Sequence, residues 1–131
     1  MPRILIVEDS PTMRSLLTTA LEELGGAVKI VEVASGFEAL RHLPRDRFDL
    51  IVTDINMPDI NGLELVSFVK GNPAYREIPL VIVSTESSER DRNKGLELGA
   101  DAYLVKPFAP EELRDIAAAL LARGGSERGA P

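Results

Sequence analysis

The chain has no cysteine, no tryptophan and a single histidine, His42. The lack of Cys excludes disulfides, thiolate metal sites and cysteine nucleophiles. One His excludes a metal centre built from a His cluster, and the short polar stretch around it, next to Arg41 and Arg45, reads as surface. Aromatic residues are scarce at 5%, which argues against a base-stacking platform. No apolar run approaches the ~18 residues that a membrane span requires. Met1-Pro2-Arg3 leads straight into a strand-like run and has no signal-peptide layout. A cytoplasmic protein without membrane contact is therefore expected. Positive charge is also in deficit. The net charge of −6 disfavours direct nucleic-acid binding, which needs a basic face.

What is present is enough for one core. At 131 residues and 44% hydrophobic content, a single domain folds without staples. Strand-like runs alternate with helical periods. Ile4 to Val7 comes first. Ser10 then caps a helix with Pro11 at its first position, and Met13, Leu16, Leu17, Ala20, Leu21 and Leu24 follow at helical spacing up to Gly25-Gly26. Val28 to Ala34, interrupted by Lys29 and Glu32, fits an edge strand. Ser35 and Glu38 form a capping pair for a short helix that Pro44 stops. Leu50 to Thr53 is a third strand. Asn61 with Glu64 starts a helix carrying Leu63, Val66 and Val69, broken at Gly71-Asn72-Pro73. Leu80 to Ser84 is a fourth strand, Ser87 to Leu98 a polar helix ended by Gly99, and Asp101 to Val105 a fifth strand. Pro110 opens the last helix, striped by Leu113, Ile116, Ala117, Leu120 and Leu121. Residues 1–122 form the expected domain, and 123–131, rich in Gly, read as a disordered tail or the start of a linker. The alternation predicts an α/β fold: a doubly wound five-stranded parallel sheet with helices on both faces.

Two of the apolar runs stop on acids. The first ends at Glu8-Asp9 and the third at Asp54. Continuous β-branched runs are strands buried on both faces, as in parallel sheets, and such sheets bind ligands beyond the carboxyl ends of their strands. Three carboxylates in one crevice repel one another and call for a cation, and an all-oxygen set suits Mg²⁺. The fourth strand ends on Ser84-Thr85 and the fifth on Lys106, so a hydroxyl and an ammonium are expected to face the same crevice. Carboxylates, hydroxyl and ammonium together match phosphoryl transfer to a carboxylate.

With Val7-Glu8-Asp9-Ser10, Thr53-Asp54-Ile55-Asn56-Met57-Pro58, Asn61-Gly62, Val83-Ser84-Thr85 and Lys106-Pro107-Phe108 in order, the sequence resembles the response-regulator receiver family, within it the CheY-like single-domain type. The match runs from Arg3 to about Leu121. The resemblance implies the flavodoxin-like strand order 2-1-3-4-5. It implies Asp54 as phosphoacceptor for a sensor histidine kinase or phosphotransfer protein, in a Mg²⁺-dependent reaction that Mn²⁺ also supports. Asp9, Glu8 (through a water), Asp54 and the Asn56 backbone carbonyl become the metal ligands. Ser84 becomes the switch hydroxyl, Lys106 the cation facing the phosphoryl group, followed by a cis bond to Pro107, and Tyr103 an aromatic that turns inward. Asn56 and Glu86 tune access of water, and Thr85 bears on the Tyr103 movement. The output is partner binding at the helix 4, strand 5, helix 5 face, by a monomer or weak dimer that is a signalling phosphoacceptor rather than an enzyme. Two alternatives stand beside this: a receiver from a longer regulator with a DNA-binding or enzymatic output, and a Mg²⁺-dependent aspartyl-phosphate phosphohydrolase.

Overall fold

A computed structural model describes residues 2–25, 27–85 and 89–128, with side chains through 123. Its elements are β1 (Arg3–Val7), α1 (Pro11–Glu22), β2 (Lys29–Val33), α2 (Gly36–His42), β3 (Leu50–Asp54), α3 (Gly62–Gly71), β4 (Leu80–Ser84), α4 (Glu89–Glu97), β5 (Ala102–Val105) and α5 (Pro110–Arg128). The five strands pair in parallel in the order β2-β1-β3-β4-β5.

Side chains alternate across the strands, and each face has its own core. Leu5, Val7, Ile51, Leu80 and Ile82 pack with Ala39 of α2 and Leu65, Val66 and Val69 of α3. Ile4, Ile6, Leu50, Val52, Val81 and Val83 pack with Leu17, Ala20 and Leu21 of α1 and Leu113, Ala117 and Leu120 of α5. Each such Leu, Ile or Val side chain contributes about 1.5–3 kcal/mol on burial, so β1, β3 and β4 form a rigid platform. Leu16 falls outside the buried stripe and is exposed, because one residue of helix turns the side chain about 100° away from Leu17.

The caps follow the sequence. Ser10 Oγ accepts from Met13 N at 3.3 Å, Ser35 Oγ from Glu38 N at 3.2 Å, and Asn61 and Glu64 form a reciprocal capping box. The expected helix over 87–98 begins at Glu89 among the described residues, since 87 and 88 lie outside them. The last helix departs from expectation. It runs to Arg128, past the expected end of the domain at 122, and 129–131 lie outside the described residues. Arg123 supplies a reason. Its Nη2 donates to Asp101 Oδ1 at 2.9 Å, and Asp101 Oδ2 in turn accepts from Lys70 Nζ at 3.1 Å and Leu80 N at 2.8 Å. This bracket ties α5 to α3 and to the entry of β4, at the end of the sheet opposite the acids.

At the other end, the chain leaving β3 folds back on itself. Gly62 N donates to the Ile55 carbonyl at 2.7 Å. A Cβ on Gly62 would run into the Asp54 carbonyl oxygen and lie 2.8 Å from Ile55 Cα, both of them backbone that cannot swing aside. Gly62→Ala is accordingly expected to cost about 1–3 kcal/mol, as overpacking does. An unchanged urea midpoint would contradict this close approach.

Candidate functional site

Strand register brings the site together. Val7 pairs with Thr53, so Glu8 and Asp54, the next residues on β1 and β3, emerge side by side. Asp54 pairs with Val83 and Ser84 with Val105, which sets Ser84 and Lys106 one step further along. Lys106 N donates to the Ser84 carbonyl at 2.7 Å and joins the last two strand ends by backbone. The Lys106–Pro107 peptide is cis, as the resemblance implies.

Glu8 is 1% exposed, Asp54 7% and Ser84 0%, while Asp9 is exposed. The carboxylates of Glu8, Asp9 and Asp54 each offer an oxygen, and these atoms lie within 4.8 Å of one another. Asp9 is therefore within reach of an ion shared with Asp54. Lys106 turns inward. Its Nζ stands 2.9 Å from Glu8 Oε1 and 3.7 Å from Asp54 Oδ1, so one ammonium serves two buried acids. Asp54 Oδ1 also accepts from Ile55 N at 2.8 Å, and Glu8 Oε2 from Ser10 N at 3.2 Å. Burial pushes the Glu8 carboxyl above the usual carboxylate range and the Asp54 charge adds to this, against the opposing pull of Lys106 and the Ser10 N–H. Three hard oxygen donors crowded to this degree fit a small divalent cation such as Mg²⁺.

The remaining candidates lie around this centre. Tyr103 is buried, beside Gly95 of α4. Thr85 and Asn56 are exposed, the latter on the loop after β3. Glu86 lies outside the described residues.

Two residues escaped the sequence reading. Arg14 Nη1 donates to the Glu8 carbonyl at 2.9 Å and contacts that of Asp9 at 3.5 Å, while Nε faces Glu32 Oε1 at 3.4 Å. The break that Glu32 makes in the apolar pattern of β2 was the available signal. Asp59 accepts from Gly36 N at 3.2 Å and Phe37 N at 2.9 Å and so pins the β3–α3 loop to the start of α2. Desolvation, the largest single influence, raises the Asp59 carboxyl, but the N–H groups of Phe37, Ile60 and Gly36, with its own, outweigh it and hold the group below its ordinary value.

Comparison with known proteins bears on the family and the fold. The family model of the response regulator receiver domain matches residues 4–118. A chemotaxis protein CheY homolog of Campylobacter jejuni is 35% identical over 126 residues, 95% of this chain and 96% of that protein. The structure of chemotaxis response regulator CheY4 of Vibrio cholerae aligns with a TM-score of 0.82 at 34% identity, covering 92% of this chain and 98% of that one. The Mn²⁺-bound form of response regulator Rcp1 aligns with a TM-score of 0.80 at 27% identity, over 92% and 91% of the two chains.

The Asp59 contacts yield a pH test. A depressed folded pKa contributes stability that is full above the unfolded value of about 3.9 and disappears as pH falls through the lower folded value. Asp59→Asn is expected to be less stable than the parent at pH 7, with the gap closing below about pH 4. Urea midpoints measured across that range check this, and a gap independent of pH would contradict it.

Proposed function

The chain belongs to the response-regulator receiver family, and from that premise we propose that it accepts a phosphoryl group on Asp54 from a phosphohistidine of a sensor kinase or phosphotransfer protein. Receiver domains bind Mg²⁺ at an acidic pocket, and the cluster of Glu8, Asp9 and Asp54 is the acidic pocket of this chain. The observation that carries the reading is the placement of one lysine between two buried acids at adjoining strand ends.

Asp54 is the nucleophile. Its Oδ1 is occupied by the Ile55 N–H and faces Lys106, so Oδ2 is the oxygen that attacks phosphorus as the bond to the donor imidazole nitrogen breaks. Asp9, Asp54 and the Asn56 carbonyl would hold a divalent cation directly, with Glu8 reaching it through water. When bound, the ion neutralises charge on the transferring group and orients it. Lys106 leaves Glu8 for the new phosphoryl oxygens, which carry roughly −2 charge. Ser84, at the neighbouring strand end, donates its hydroxyl to the same group. About two charge-assisted hydrogen bonds at ~1.5–3 kcal/mol each shift a two-state equilibrium by a few kcal/mol.

The shift reaches the surface through Tyr103 and α4. α4 buries only Gly95 among its residues, and a Cβ there would meet Ile82 Cδ1 at 2.7 Å and Tyr103 Cδ2 at 3.5 Å. A polar helix held by so little apolar contact repositions when Ser84 and Tyr103 move, so the face made by α4, β5 and α5 is where a downstream protein reads the modification. Asn56, Thr85 and Glu86 set the pace of the reverse hydrolysis and of the Tyr103 movement.

With Mg²⁺ and a small acyl phosphate, intact-mass spectrometry is expected to find one added phosphoryl group, which does not form when the metal is chelated beforehand or in Asp54→Asn. Lys106→Met is expected to slow labelling by at least about tenfold through loss of charge stabilisation. Full labelling of Asp54→Asn would overturn the assignment of the nucleophile.

A further inference from the structure

The acids of β1 sit on a turn, and a turn needs something to fix its direction. Glu8 is buried at the strand end, but Asp9 is exposed and free of the sheet. The Ser10 cap secures the helix that follows and the Val33 carbonyl holds Glu8 N at 3.1 Å, yet neither holds the Glu8 and Asp9 carbonyls. Arg14 does. Its Nη1 donates to the Glu8 carbonyl at 2.9 Å and lies 3.5 Å from that of Asp9. The guanidinium is itself oriented from the far side, where Nε meets Glu32 Oε1 on the edge strand at 3.4 Å.

From this geometry we propose that Arg14 is a positioning residue for the metal site, clamping the β1–α1 turn so that the Glu8 and Asp9 carboxylates converge on Asp54, with Glu32 as the anchor that aims it. The inference rests on the metal reading above. A planar fork can grip carbonyls with one arm while another nitrogen faces an acid, which an ammonium on a flexible stem does not do. Groups that orient the ligands of a metal commonly matter to affinity by one to two orders of magnitude.

Charge makes the role testable, because position and field act in opposite directions. A cation next to an acidic pocket repels a second cation, so if Arg14 acted only by its field, removing it would tighten metal binding. A clamp predicts the reverse. The probe is Mn²⁺, titrated into the full chain with free ion read by electron paramagnetic resonance. Arg14→Gln is expected to weaken binding roughly tenfold, and Arg14→Lys, which keeps the charge and loses the fork, to weaken it in the same direction. Glu32→Gln is expected to weaken binding alone and to add nothing in the Arg14→Gln background.

Equal or tighter binding by Arg14→Gln overturns the clamp. A Glu32→Gln effect that persists without Arg14 overturns the anchoring role. Should Arg14→Gln fail to fold by circular dichroism, Arg14→Lys and Glu32→Gln decide the question by the same criterion of direction. If the parent chain shows no saturable Mn²⁺ binding, or Asp9→Asn leaves it unchanged, the metal reading falls and the clamp with it. If Asp9→Asn abolishes binding while the Arg14 variants leave it intact, the clamp alone falls.

Discussion

Lys106 sits between two carboxylates that water barely reaches, and much of the molecule is arranged to keep it there. Glu8 is 1% exposed and lies 2.9 Å from its ammonium, while Asp54 is 3.7 Å away. Buried acids are expensive to ionise, and two of them side by side are more so. One cation cannot satisfy both. The raised carboxyl of Glu8 reflects burial first and Asp54 second, even with Lys106 in contact. In the proposed function a divalent ion would supply further positive charge here, and a phosphoryl group on Asp54 would draw Lys106 away from Glu8.

This arrangement depends on a register that leaves little freedom. Four strand ends supply the site, and each is delivered by a pairing fixed far from the chemistry. The Lys70–Asp101–Arg123 bracket locks α3, α5 and the entry of β4 at the opposite end of the sheet. At the site end the loops are held by contacts of a different kind: Gly62 against the backbone of Asp54, Asp59 on the start of α2, Arg14 on the turn after β1. The platform is rigid because it is apolar on both faces. The loops are orderly because polar groups reach them from other elements.

The same division explains what could be read from the chain alone. Glu8, Asp9, Asp54, Ser84 and Lys106 were legible because each ends a short apolar run, and parallel strands deliver their carboxyl ends to one edge. Ser10, Ser35 and Asn61 were legible because capping is local. Asp59 was not, since its partners lie 22 and 23 residues away and nothing in its neighbourhood distinguishes it from an ordinary loop acid. Arg14 was hidden although its carbonyl partners lie only 5 and 6 residues away, because its other partner, Glu32, comes from another strand and was read only as the mark of an edge strand. Strand order needed the family resemblance, because alternation alone fixes the parallel sheet but not which strand lies at its edge.

In the proposed function Lys106 exchanges Glu8 for a phosphoryl group on Asp54. A crystal structure of the chain with Mg²⁺ and beryllofluoride tests it most directly. The account predicts beryllofluoride density on Asp54, metal density among Glu8, Asp9 and Asp54, and Lys106 Nζ withdrawn from Glu8 to contact the fluoride. Beryllofluoride density elsewhere, or Lys106 still paired with Glu8 while Asp54 carries the group, would contradict it.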